Sequence, residues 1–242
     1  LATVARDRPI AWATSRGSPR IRVMPAVSMA TSVPPPMAMP TSAAARAGAS
    51  GAGADGVSAG VRGADGQFHM VWTVSWNDKG IGYASSKDLI SWSAQQFLPV
   101  MRKEDGASNT WAPEITYDSA TKTYMIYWAT TIKNKFNETA STEENGYNHR
   151  IYYVTTKDFK TYSETRLLYD PGFNVIDATI VKDGKKFIMF LKDETRQPAQ
   201  KNIKISYADQ LTGPYSQAGN PITGIYWAEG PTTLKIGNKW LV

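Results

Sequence analysis

Three times along this chain, two strands rich in large side chains are followed by a corner made of Asp, a hydrophobic residue and, a few positions on, an aromatic. The first set is Phe68-His69-Met70-Val71-Trp72-Thr73, Gly80-Ile81-Gly82-Tyr83-Ala84-Ser85-Ser86 and Lys87-Asp88-Leu89-Ile90-Ser91-Trp92. The second is Thr123-Tyr124-Met125-Ile126-Tyr127-Trp128, Arg150-Ile151-Tyr152-Tyr153-Val154-Thr155-Thr156 and Lys157-Asp158-Phe159-Lys160-Thr161-Tyr162. The third is Lys186-Phe187-Ile188-Met189-Phe190, Asn202-Ile203-Lys204-Ile205-Ser206-Tyr207 and Ala208-Asp209-Gln210-Leu211-Thr212-Gly213-Pro214-Tyr215. A further set opens at Trp227 and reaches Trp240-Leu241-Val242. A period of about 50 residues, with short strands in each repeat, is the signature of propeller blades. Asp65-Gly66, Asp183-Gly184 and Gly237-Asn238 supply hairpin turns between strands. No segment sustains helical periodicity. The competing architecture is a β-sandwich, which does not account for the recurring corner. The repeats predict an all-β chain of propeller type, incomplete, with about four blades and the last one cut.

The first 65 residues use a different alphabet. They contain no Lys, Tyr or Asn, and Trp12 is their only aromatic. Ala, Gly, Pro, Ser and Arg dominate, a mixture that cannot bury enough apolar area to offset the entropy of ordering. Residues 1–65 are therefore expected to be a disordered or non-native segment, the latter through a shifted reading frame, and residues 66–242 a partial propeller domain. The segment also holds most of the charge. The chain carries a formal +6, yet six arginines and one acid precede Asp55, which leaves the remainder close to neutral. A nucleic-acid groove needs basic and aromatic residues interleaved, and those arginines have no such company. No run approaches the ~20 apolar residues of a membrane helix, and no continuous apolar stretch marks a signal peptide. The chain has no cysteine, so disulfide and thiol chemistry are excluded. The expected partner is a small or polymeric ligand, not nucleic acid or membrane, met by a monomer without a cofactor or metal.

The chemistry is concentrated where the repeats begin. Three strands open with Asn109-Thr110-Trp111-Ala112-Pro113-Glu114-Ile115, Asn174-Val175-Ile176-Asp177-Ala178-Thr179 and Tyr226-Trp227-Ala228-Glu229-Gly230-Pro231. Each places an acid among apolar or aromatic neighbours, where a carboxylate is poorly solvated and needs a reason to be there. The three acids are read as equivalent positions lining one channel mouth. Glycoside hydrolysis uses such a set: a proton donor with a raised pKa and, for inversion, a base that activates water from the opposite side. A third acid can hold the donor and raise its pKa by like-charge proximity.

From about Asp65 to Val242 the residues resemble glycoside hydrolase family 43, the five-bladed propellers that include α-L-arabinofuranosidases and β-xylosidases. The resemblance lies in Asp65-Gly66-Gln67-Phe68-His69-Met70-Val71-Trp72-Thr73, Gly80-Ile81-Gly82-Tyr83-Ala84-Ser85-Ser86-Lys87-Asp88, Trp111-Ala112-Pro113-Glu114 and Glu229-Gly230-Pro231, in that order. It implies an inverting hydrolase of arabinose- or xylose-containing plant polysaccharides, working outside the cell or in the periplasm. Glu229 would be the general acid and Asp177 the residue that orients it and raises its pKa. Trp111 would line the sugar pocket. Trp76, Tyr226 and Trp227 are candidate sugar contacts, with core packing as the competing reading, and Trp128 is read as core. Glu114 is read as structural, His69 as a packed core residue and His149 as part of a channel-side loop. The family's general base is an Asp in an Arg-Asp-Pro-like motif ahead of the segment equivalent to Phe68. Counting back from Phe68 lands near Val57-Ser58-Ala59; no Asp-Pro occurs in that preceding segment, and Asp55 is the acid nearest to that place. The alternative function is therefore a carbohydrate-binding propeller or fragment without catalysis.

Overall fold

The computed structural model describes residues 20–22, 58–140, 146–224 and 226–242. The chain divides into two units, residues 1–25 with 232–242, and residues 26–231. Among the described residues the structure is strand and loop apart from a 3-10 turn at Asn137–Thr139 and a 3-10 residue at Gly146, in keeping with the missing helical periodicity.

The first strand, β1 (Arg20–Arg22), belongs to the smaller unit. The larger unit holds three antiparallel sheets in which consecutive strands are neighbours. The first is β2 (Ser58–Arg62), β3 (Phe68–Thr73), β4 (Ile81–Ser86) and β5 (Gln96–Leu98). The second is β6 (Trp111–Asp118), β7 (Thr123–Thr131), β8 (His149–Thr156) and β9 (Arg166–Tyr169). The third is β10 (Val175–Asp183), β11 (Lys186–Asp193) and β12 (Asn202–Ala208). In the smaller unit β13 (Leu234–Ile236) and β14 (Lys239–Leu241) form a hairpin across Gly237-Asn238, and β1 pairs in parallel with β14. These up-and-down sheets are the blades that the repeats predict.

Within the segment expected to be disordered or non-native, two stretches are strands. Ser58–Arg62 pairs with β3 from Ser58↔Trp72 to Arg62↔Phe68, and Arg20–Arg22 is a strand. Ladder bonds are made by the backbone, so a stretch as slight as Ser58-Ala59-Gly60 can be a strand without showing it in its composition. The remainder of the expectation for residues 1–65 falls outside the described residues.

The core of the larger unit lies between the sheets. Alternation along β7 sends Tyr124, Ile126 and Trp128 into one cluster with Val71 and Tyr83, and Met125, Tyr127 and Ala129 into another with Val175 and Met189. A central strand covered on both faces is buried nearly throughout, which is why β7 reads as a run of large side chains. Trp128 is core, as expected. So is His69, which stacks 4.0 Å from the Phe159 ring and lies 2.9 Å from the Tyr83 hydroxyl.

The repeated corner closes on itself. Ser86 Oγ accepts the Leu89 N–H and Asp88 Oδ1 accepts those of Ile90 and Ser91; Thr156 and Asp158 do the same for Phe159, Lys160 and Thr161. The polar side chains thus satisfy turn donors that would otherwise be orphaned. In all three repeats a serine after the aromatic, Ser93, Ser163 or Ser216, accepts a strand N–H through Oγ.

Sheets two and three are joined by a ring of three hydrogen bonds. The Ile180 N–H donates to Tyr127 Oη at 2.9 Å, Thr116 Oγ1 donates to the Ile180 carbonyl at 3.0 Å, and the two hydroxyls lie 3.1 Å apart. Each group in the ring can donate once and accept once, so the directions are mutually consistent. Tyr127→Phe keeps the buried ring face but strands the Ile180 N–H, and should lower unfolding stability by about 1–3 kcal/mol in urea titrations. A change well under that range would show that the ring is not what fastens the two sheets.

Candidate active site

Two innermost strands carry the same irregularity at their starts. In β6 the register shifts between Trp111 and Glu114, and in β10 between Ile176 and Thr179. The residue inside each bulge has positive φ, 46° at Ala112 and 54° at Asp177, and Gly230 repeats this at 56°. Nothing lies near a Cβ built on Gly230, so its conformation and not crowding calls for glycine there. A bulge inserts one residue and re-aims its neighbours, and strained backbone of this kind is a feature of functional sites.

The bulges correct the expectation that the three acids are equivalent. Aligned on the positive-φ residue, Trp111-Ala112-Pro113-Glu114 matches Ile176-Asp177-Ala178-Thr179 and Glu229-Gly230-Pro231-Thr232. Glu229 therefore precedes the positive-φ residue, Asp177 is that residue, and Glu114 follows it by two. Three carboxylates at three offsets can converge without competing for one place, Glu114 and Asp177 from strands and Glu229 from the loop after β12, where the sequence had suggested a strand.

Asp177 and the Glu229 segment are brought together. Asp177 Oδ2 accepts the Gly230 N–H at 3.1 Å. Burial pushes the Asp177 carboxyl above its ordinary value, against the opposing pull of the Lys192 ammonium and the Gly230 hydrogen bond. The Glu229 side chain is 76% exposed and its Oε2 lies 2.7 Å from Lys192 Nζ. That hydrogen bond and charge hold Glu229 below the usual carboxylate range. Glu114 also feels Asp177. Its carboxyl is desolvated and pushed up to about 8, with Asp177 adding like-charge repulsion. Thr179 Oγ1 is 2.8 Å from the Pro231 carbonyl and 3.4 Å from Glu114 Oε1. A carbonyl cannot donate, so the Thr179 proton goes to Pro231 and the longer contact suits a Glu114 that carries its own proton. Glu114 thus takes part in the site as a neutral acid.

The aromatic candidates separate by place. Trp111 packs 4.6 Å from Tyr147, 5.1 Å from His149 and edge-on to Trp76, and its Nε1 donates to the Trp76 carbonyl. Trp76 and Trp227 are 68% and 69% exposed and Tyr226 is also exposed, which overturns core packing for all three. The Lys201 ammonium lies 5.8 Å from the Trp227 ring centroid. His149 is corrected as well. It is buried at the start of β8, not in a loop, with its ring nitrogens 2.8 Å from Asn109 Nδ2 and 3.2 Å from Asn174 Oδ1. Burial lowers its pKa to about 4, so it is neutral at pH 7.

Sequence reasoning missed Lys192, Glu194, Lys201, Asn109 and Asn174. Lys192 lies 2.8 Å from Glu194, which also pairs with Lys201. The available signal was Lys192 itself, a charge closing the buried run Phe187-Ile188-Met189-Phe190-Leu191. Asp55 lies outside the described residues.

Residues 64–241 match the family described as a probable glycosyl hydrolase domain, related to glycoside hydrolase family 43. An α-L-arabinofuranosidase of Bifidobacterium longum subsp. longum is 27% identical over 152 residues, covering 54% of this chain and 14% of that protein. Among solved structures, a thermostable family-43 glycoside hydrolase superposes with a TM-score of 0.54 at 16% identity, over 76% of this chain and 61% of that one. An α-L-arabinofuranosidase of Lactobacillus brevis gives a TM-score of 0.52 at 21% identity, over 74% and 59%. These two share the fold. The chain spans less than two thirds of each of these relatives.

Two large shifts around neutral pH, those of Glu114 and His149, pull stability in opposite directions. Glu114 keeps in the fold a proton that the unfolded chain releases near 4.5; its stabilisation is full below that pH and is lost as pH rises through about 8. His149 is neutral in the fold; its contribution is full above 6.5 and is lost as pH falls through about 4. The slopes oppose one another between 4.5 and 6.5, and above 6.5 that of Glu114 stands alone. Urea midpoints should therefore fall between pH 6.5 and 8 in the wild type and stay level in Glu114→Gln. A wild-type midpoint rising over that interval would rule out a protonated Glu114.

Proposed function

Starting from the fact that this chain belongs to the family of probable glycosyl hydrolase domains, we propose that it hydrolyses glycosidic bonds in arabinose- or xylose-containing plant polysaccharides and oligosaccharides. The observation that carries the reading is the Gly230 N–H to Asp177 hydrogen bond, which sets a desolvated carboxyl beside the residue following an accessible one, Glu229. Glu229 is the proton donor to the leaving glycosidic oxygen. Asp177 orients the Glu229-Gly230 backbone through that bond and, as a nearby negative charge, favours the protonated form of Glu229. The reaction proceeds with inversion, a water being activated from the far side of the sugar. Trp111, Trp76, Tyr226 and Trp227 offer apolar faces against which sugar C–H groups pack. Arabinofuranosidase activity in the Bifidobacterium and Lactobacillus relatives supports arabinose as the sugar. Polymers of that kind are met outside the cytoplasm, so the site of action is extracellular or periplasmic.

The purified protein should release the aglycone from aryl α-L-arabinofuranosides or β-xylosides, with the anomer opposite to the substrate's appearing first by proton NMR. Glu229→Gln should lower kcat by at least ~10²-fold. Undiminished turnover in that variant would remove Glu229 from the proton-donor role.

A further inference from the structure

A carboxylate with an ammonium seated on it is a poor proton donor, and that is how Glu229 stands here. Lys192 Nζ touches two carboxylates at once, Glu229 Oε2 at 2.7 Å and Glu194 Oε2 at 2.8 Å. The two ends differ. The Glu229 side chain is 76% exposed, whereas those of Lys192 and Glu194 are 8% and 11% exposed. Glu194 is fixed from behind by Lys201, and Arg196 lies 4.0 Å away. Glu229 is therefore the member that can leave. Parting a buried ion pair is costly when it strands a charge in the interior. Here it does not, because Lys192 retains Glu194.

We propose that Lys192 is a positioning residue that holds Glu229 ionised while the site is free of substrate, with Glu194 as the second carboxylate that lets Lys192 release it. The proposal rests on the reading of Glu229 as proton donor for its catalytic consequence. The groups facing Glu229 are Lys192 on β11, Lys201 ahead of β12, and Asp177 on β10, and these in turn interact with Glu194, Glu114 on β6 and the neutral His149 on β8. Asp193 is occupied by Lys204 at 2.7 Å. Of these, only Lys192 donates a hydrogen bond to Glu229 among the described residues.

The test is titration of Glu229 by NMR in protein carrying 13C at the glutamate carboxyls, with Glu229→Gln assigning the signal. Lys192→Met should raise the Glu229 midpoint by about one pH unit, the scale of a nearby opposite charge. Lys192→Arg should leave it near the wild type. Glu194→Gln should lower it, since Glu229 is then the carboxylate left in contact with Lys192. The alkaline limb of kcat/KM should move in the same senses, outward for Lys192→Met and inward for Glu194→Gln. An unmoved midpoint in Lys192→Met, an arginine variant that follows the methionine one, or a Glu194→Gln shift of the same sign as Lys192→Met would each overturn the proposal. The two Lys192 variants decide the matter alone if Glu194→Gln does not fold. The NMR readings need no substrate, so a protein that fails to hydrolyse any glycoside would count against the proposed function and leave this test standing.

Discussion

The innermost strand of a sheet has backbone groups with no partner strand on one side, and the arrangement of the larger unit follows from how those groups are satisfied. An unmet buried N–H or C=O costs more than most single contacts return. On β10 the need is met at Ile180 by two side chains of the neighbouring sheet, Tyr127 and Thr116. Side-chain hydroxyls can cap a strand edge without extending the sheet, so the edge is closed against further pairing while the sheets remain separate layers. Tyr127 also packs in the apolar cluster between these layers. One residue thus contributes to the core and to the edge, and it holds β10 where Asp177 and Thr179 meet Glu114 and Pro231.

Much of this was legible because it is local. The corners at Asp88 and Asp158 are built from donors and acceptors three residues apart or fewer, so sequence spacing nearly is the structure. The unbroken run of large side chains in β7 carried its burial on both faces. The blade starts were harder. Trp111-Ala112-Pro113-Glu114 and Glu229-Gly230-Pro231 are conspicuous strings, but matching the acids in them gave a false equivalence, because the common reference is a backbone bulge that only φ reveals. Ser58–Arg62 hid in a weak composition for a similar reason: its pairing is made by backbone alone. Lys192 and His149 were missed or misplaced because what defines them comes from other sheets or distant loops, Glu229 in one case and Asn109 and Asn174 in the other.

The electrostatic character of the site comes from unequal solvation more than from the number of acids. Asp177 and Glu114 are desolvated and pushed towards their neutral forms, while Glu229, the most accessible of the three, is kept charged by Lys192. Three carboxyls of similar intrinsic acidity are thereby spread over different protonation states, the condition for assigning them different tasks.

Among the described residues the indole rings run from sealed, through half-buried Trp72, Trp92 and Trp111, to open. Trp128 is sealed at 1% exposure, and Trp76 and Trp227 stand almost free at 68% and 69%. Emission from a solvated indole lies to the red of emission from a buried one, and an aqueous quencher such as iodide reaches only the solvated kind. The two open tryptophans belong to the same unit as Asp177 and Glu229. A ligand that settles on those rings therefore announces itself by a blue shift and by protection from iodide, with no label attached.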